Sequence, residues 1–133
     1  MKKLAKVAIV LCLGMFIITT TGCGKDDPVV VNLTSIKYTP STKTVAKGVA
    51  WTGSAAIKAP TTASVKYTIK SIKKGTTAFT NPTKGVKINA TTGKLSLETG
   101  NTLDKAIYKV TVEGTDQKKK TIKKTTIFTI TIN

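Results

Sequence analysis

The 133-residue chain contains no histidine, and all 22 of its basic residues are lysine, so arginine is absent too. Lack of histidine removes the side chain that most often moves protons near neutral pH. Lack of arginine removes the planar, bidentate fork that nucleic-acid readers and phosphate clamps favour, and a lysine-only surplus argues against specific nucleic-acid recognition. Acids are scarce against a formal charge of +16: Asp26, Asp27, Glu98, Asp104, Glu113 and Asp116 are the full set. Cysteine is limited to Cys12 and Cys23. The longest apolar run, Val7 to Ile18, falls short of the roughly 20 residues that a membrane-spanning helix needs. With so few groups able to act as acid, base or nucleophile, no catalytic residue is expected, and the protein is expected not to be an enzyme. A carboxylate pair for glycoside chemistry is the one scheme left open, but Glu98, Asp104, Glu113 and Asp116 read more simply as turn and strand-end residues.

What is present begins with an address. Lys2, Lys3 and Lys6 precede the apolar run, and small residues follow it up to Cys23, the layout of a secretory signal. Cys12 would leave with that leader. A single cysteine then remains, at the very start of the mature chain, where it cannot close an internal disulfide. Thr20-Thr21-Gly22-Cys23 resembles the lipobox of bacterial lipoproteins, with Thr20 standing where that pattern usually has Leu. The resemblance implies that Cys23 becomes the first mature residue and carries a diacylglyceryl group and an amide-linked acyl chain such as palmitate. Buried acyl chains contribute about 0.8 kcal/mol per methylene, so two or three of them hold a protein essentially permanently. Lys25-Asp26-Asp27 resembles the surface-export signal of lipoproteins in the Bacteroidota; the same residues, followed by Pro28, also read as a short solvated tether. The expected organisation is a lipoprotein signal peptide over residues 1–22, a lipidated N-terminus and tether over 23–30, and one domain over 31–133. The expected location is the outer membrane, held by the lipid and exposed at the cell surface.

The 111 residues from Cys23 onward suit a single domain and are too few for two. Their nineteen lysines and six acids leave them at +13. Such a surplus serves as a solubilising surface that protects sheet edges. It also attracts anionic polymers such as an acidic glycan or lipopolysaccharide. Threonine, valine, isoleucine and tyrosine, which favour pleated half-buried surfaces, dominate after residue 30, and no 3.6-residue apolar stripe appears.

Strands follow from the alternation. Val29 to Tyr38 reads as a first strand with a parity slip near Thr34 and Ser35, ended by Pro40. Thr44 to Ile57 is irregular; Val45, Val49, Trp51, Ala55 and Ile57 share parity, Gly48 and Gly53 interrupt, and Pro60 closes the segment. Val65, Tyr67 and Ile69 alternate with polar residues up to an expected turn at Lys73-Lys74-Gly75. Val86 and Ile88 pair through an Ala90–Gly93 turn with Leu95 and Leu97. Tyr108, Val110 and Val112 form the next strand, Lys118-Lys119-Lys120 a solvated hairpin tip, and Phe128, Ile130 and Ile132 the last strand. Seven or eight short strands in about 105 residues point to an all-β, antiparallel Greek-key β-sandwich.

Gly85 to Ser96, Leu103-Asp104 and Tyr108 to Asp116 together resemble the second half of cadherin-like and Ig-like bacterial surface domains: a strand, an Asn-x-x-Thr-Gly hairpin, a Leu-Asp corner, a Tyr-x-Val-x-Val strand and a closing Asp. The likeness implies a single Ig-like or cadherin-like sandwich. It also implies calcium ligands at Asp104 and Asp116, but Lys105 and Ala106 follow Asp104 with no glutamate, and hard cations need six to eight oxygens. No metal and no cofactor are therefore expected. Asp104 to Tyr108 resembles instead the tyrosine corner of Ig-like sandwiches, which makes Asp104 and Tyr108 markers of fold. Trp51, Tyr38 and Tyr67 are the aromatics able to stack on sugar rings, while the sole Trp of an Ig-like sandwich usually fills its core. The expected role is a non-catalytic binding or adhesion module, with a glycan or surface polymer, or a surface protein, as partner. The alternative is a structural spacer or accessory subunit of a larger surface complex.

Overall fold

The computed structural model describes residues 30–133, and these are strands and connecting turns without a helix. The leader, Cys23 and the Lys25-Asp26-Asp27 segment lie outside the described residues. Ten strands follow in order: β1 (Ser35–Lys37), β2 (Thr42–Val45), β3 (Trp51–Thr52), β4 (Ile57–Ala59), β5 (Val65–Lys74), β6 (Thr77–Ala78), β7 (Val86–Ile88), β8 (Leu95–Leu97), β9 (Ala106–Asp116) and β10 (Lys123–Ile132).

The three long strands form the frame. In two of them alternation sets register: Tyr108, Val110 and Val112 of β9 are buried, as are Phe128, Ile130 and Ile132 of β10, while Lys109, Thr111, Thr129 and Thr131, with the exposed Ile107 and Ile127, take the opposite parity. They sit in a five-stranded sheet of order β2-β10-β9-β5-β6. Facing it is a three-stranded sheet, β3-β8-β7, whose Val86, Leu95 and Leu97 join the same core; β1 and β4 make a third, two-stranded ladder. All ladders are antiparallel except that of β2, which lies parallel to β10 from Thr42↔Thr129 to Val45↔Ile132. Parallel neighbours need a long crossover, and nearly the whole domain intervenes between these two.

The parity slip expected near Thr34 and Ser35 is present: Leu33 is buried, then Ile36 and Tyr38, and the strand itself starts only at Ser35. A register shift between Ile69 and Ser71 does the same within β5, moving the inward series from Val65 and Tyr67 to Ile72. As a result Lys73 and Lys74 remain in the strand, and the turn expected there falls one step later, after Lys74. The segment from Thr44 to Ile57 follows its shared parity only at the start. Val45 is buried and Trp51 partly so, but Val49 lies in the turn between β2 and β3 and is exposed, and Ile57 is exposed because the three-residue β4 takes its facing from its partner β1.

The β7–β8 hairpin closes over the core with little room. Gly93 has a φ of +70°, and its carbonyl accepts a hydrogen bond from the buried hydroxyl of Tyr38 at 2.6 Å. A Cβ at Gly93 would meet Cβ of Ala56 at 2.6 Å and the ring of Tyr67 at 3.1 Å, whereas one at Gly48, with a φ of +76°, would meet nothing within 4 Å. Both alanine variants bear the cost of left-handed backbone, roughly 1–2 kcal/mol. Gly93→Ala should lose about 1–3 kcal/mol more through overpacking. Urea unfolding of the two variants measures the difference, and equal losses would contradict this packing.

Candidate functional site

The two acids that the sequence offers as possible ligands stand at opposite ends of β9. Asp104, just before the strand, is exposed and lies 3.1 Å from Nζ of Lys74 and 3.4 Å from Nζ of Lys47. Those lysines, Lys74 foremost, hold its carboxyl below the usual carboxylate range. Its backbone serves the corner: the hydroxyl of Tyr108, a residue with no exposed surface, donates to the carbonyl of Asp104 at 3.1 Å.

Asp116, the last residue of β9, is buried and points inward with Tyr108, Val110 and Val112. One carboxylate oxygen accepts the amide of Leu33 at 2.9 Å; the other accepts the amides of Lys118 and Lys119 at 2.9 and 3.1 Å. The bond from Leu33, then that from Lys119, holds its pKa below the ordinary aspartate value against the opposing pull of burial. A charge taken from water is tolerated when it is hydrogen-bonded and near an opposite charge, and here three amides bond it and Lys118 lies close by. The sequence marks Asp116 as a strand-end residue; its inward parity was the available sign of a deeper role. Glu113 lies on the outward face between Lys123 at 3.1 Å and Lys70 at 3.6 Å, and Lys123 is the main cause of its lowered pKa. Among the described residues no three of His, Cys, Asp and Glu gather as metal ligands would.

Among the concave surfaces of the described residues, two bear on the residues singled out above. The first is a cleft of about 200 Å³ between the β2 edge of one sheet and the β3 edge of the other, lined by Pro40, Thr42, Lys43, Trp51, Ser54 and Phe128. Trp51 is partly buried and stacks on Phe128 with centroids 5.5 Å apart and planes 22° apart. Phe128 in turn meets Tyr38 edge-on at 5.3 Å. The indole therefore packs against the core and also rims the cleft. Tyr38 and Tyr67 are buried, which raises both phenol pKa values and takes them out of reach of a ligand. The second surface lies on the outward face of the large sheet, where Lys66, Thr68, Thr115, Lys120 and Lys123 surround Glu113.

No protein-family model matches the chain, and no curated protein matches it in sequence. Chemistry at the sites therefore rests on the residues themselves.

Lowered carboxyl pKa values make stability depend on acid in one direction. A group whose pKa is lower folded than unfolded contributes fully above its unfolded value and loses that contribution as pH falls through the folded one. Stability should thus fall as the pH drops below about 4, the ordinary aspartate range. Asp116→Asn, which removes the charge and sets a donor NH2 against either the Leu33 amide or those of Lys118 and Lys119, should lower the melting temperature at pH 7 and flatten the acid limb. Asp104→Asn, on an exposed carboxyl, should change it far less. Melting curves between pH 2 and pH 7 check both, and an unaltered acid limb in Asp116→Asn would remove the assigned role.

Proposed function

We propose that this chain is a lipid-anchored lipoprotein of the outer membrane, displayed at the cell surface, whose Ig-like or cadherin-like sandwich acts as a non-catalytic binding or adhesion module. The observation that carries the reading is Cys23: a lone mature cysteine directly after an apolar leader and small residues, followed at once by Lys25-Asp26-Asp27. Acylation gives that thiol a purpose that a free exported thiol lacks. A surface polymer carrying acidic sugars suits the module best. Support comes from the cleft at the β2 and β3 edges, where an indole edge, the ammonium of Lys43 and the hydroxyls of Thr42 and Ser54 stand together. Aromatic surface packs on the apolar faces of sugar rings, hydroxyls replace water around them, and lysine answers a carboxylate.

A second reading, as spacer or accessory subunit, is favoured by Ile107 and Ile127, which lie on the outward face of the large sheet at 50% and 54% exposure. A partner protein covering that face would bury both.

Mass spectrometry of the protein from its membrane should find acylated Cys23 as the first residue, and Cys23→Ser should release the protein from the membrane fraction. An unmodified Cys23 or a different mature start removes the location and the role together. Protease treatment of intact cells should cleave the domain; protection would move it to the periplasm. On an array of acidic glycans, Lys43→Ala should weaken binding about ten-fold while leaving the melting temperature unchanged, a loss of roughly 1.4 kcal/mol. Co-purification of a protein partner, with no glycan bound, would favour the second reading.

A further inference from the structure

The tip of the β9–β10 hairpin and the entry of the chain into the domain share one fastening. The carboxylate of Asp116 holds the amide of Leu33 on one oxygen and the amides of Lys118 and Lys119 on the other. Only ten residues separate Leu33 from Cys23, and an extended chain covers at most about 3.6 Å per residue, roughly 36 Å in all. Whatever the path of that segment, a lipid on Cys23 keeps this end of the sandwich within that reach of the bilayer.

Exposed cations collect at the same end. Lys118, Lys119 and Lys120 occupy the tip, Lys123 and Lys124 open β10, and Lys66 lies near the start of β5. The register Lys66↔Thr115↔Lys123 sets the last of these in a row with the hairpin. Nearby acids leave the cluster uncompensated. Asp116 faces inward with its oxygens taken by amides, and Glu113 is divided between Lys70 and Lys123. Among the described residues, Lys66, Lys118, Lys119, Lys120 and Lys124 have no carboxylate within 4.0 Å. At the other end of β9, about 36 Å away at 3.3 Å per residue, exposed Asp104 lies between Lys47 and Lys74.

The geometry points to a second membrane contact: the lysine-bearing end of the sandwich docks on anionic headgroups of the bilayer that holds the Cys23 lipid. This contact rests on the lipid-anchored reading above. A tether turns docking into an intramolecular event with a high effective concentration of headgroups. Each lysine adds a favourable increment that decays within a Debye length, about 8 Å at physiological salt, so only the tip end takes part. A lysine ammonium is a compact point charge that meets a phosphate from any direction, as a fluid headgroup layer requires, where an arginine fork would ask for a fixed bidentate approach.

Lysine footprinting tests it on the full chain. The protein, purified in detergent and reconstituted into neutral phosphatidylcholine vesicles or into vesicles doped with phosphatidylglycerol, is acylated by a water-soluble amine-reactive ester and read by mass spectrometry. Labelling of Lys66, Lys118, Lys119, Lys120 and Lys124 should fall about five-fold on the anionic vesicles and recover near 0.5 M salt. Lys84 and Lys105, toward the opposite end, should label equally on both. Replacing the tip by Lys119→Gln and Lys120→Gln, which leaves Lys118 beside Asp116, should restore labelling of Lys66 and Lys124 while labelling of Lys84 and Lys105 stays as it was. Equal labelling of the tip on both vesicle types overturns the contact, as does equal protection of Lys84 and Lys105, or protection by soluble dextran sulfate but not by anionic vesicles. Flotation with neutral vesicles reads the lipid separately. Protein that fails to float there but is protected at its tip by anionic vesicles keeps the headgroup contact and loses the anchor.

Discussion

A single buried carboxylate governs the end at which this domain begins. Burying an ionised group is costly, and the cost is met here only because three backbone amides converge on Asp116 from two separate stretches of chain. The same convergence gives the group its structural reach. Leu33 is drawn into the core beside it, which fixes the phase of the next strand, so that Ile36 and Tyr38 fall inward. On the other side, Lys118 and Lys119 are folded back over the end of β9, and the amide of Asp116 itself takes the carbonyl of Ile122, closing the hairpin. Inward parity places the carboxylate in this position: Asp116 continues the series Tyr108, Val110, Val112 at the point where β9 runs out of apolar neighbours.

The opposite corner is pinned by neutral bonds and by aromatic contact. Tyr108 holds the carbonyl of Asp104 and meets the ring of Phe79 at 5.1 Å, so the start of β9 is tied both to its own approach and to the chain beyond β6. Tyr38, Phe128 and Trp51 run across the gap between the sheets as a chain of edge and stacked contacts. Such pairs contribute roughly 0.5–1.5 kcal/mol each beyond their area. Because β2 and β3 are short, the sandwich stays open along this side, and the last ring of the series is left partly exposed. Gly53 permits the arrangement, since a Cβ there would lie 2.8 Å from the indole. The cleft is therefore a consequence of how the core ends at an unclosed edge.

Legibility in the sequence tracked the length of the strands. β9 and β10, with ten or eleven residues each, announce both their faces and their hairpin, and Val86 to Leu97 announces a hairpin through its turn residues. Between Thr44 and Ile57 the alternation misleads, since Val49 and Ile57 share parity with buried Val45 and are exposed. Val49 falls in a turn outside any strand, and a three-residue strand such as β4, which holds Ile57, has too few side chains to set a face, so its partner decides it. Asn81 was illegible for another reason: its side-chain amide takes the carbonyl of Val86 at 2.7 Å and its oxygen takes the amide at 2.9 Å, completing the hydrogen bonding of a short strand from outside any ladder. No periodic pattern marks such a residue. Among the candidate sites, the bond from Tyr108 to Asp104 and those from the Lys118 and Lys119 amides to Asp116 follow from short spacing along the chain, whereas the amide of Leu33, 83 residues away, reaches Asp116 only when distant stretches are folded onto one point.

The arrangement along β10 keeps the two charged surfaces from interfering. Lys123 opens that strand beside the tip, and Phe128, which carries the indole of Trp51, stands five residues further along, about 17 Å at 3.3 Å per residue. That separation is about twice the Debye length of roughly 8 Å at physiological salt, so the potential of the tip lysines is largely spent before it reaches Lys43 and the cleft. A domain resting on headgroups through its tip would hold the cleft about that distance from the ionic layer. Phosphates would then compete for the tip alone, while a polymer reaching the cleft would meet one lysine, two hydroxyls and an aromatic edge. In that arrangement attraction to a charged surface and contact with a ligand would fall to different residues, and changing the net charge of one would leave the contacts of the other in place.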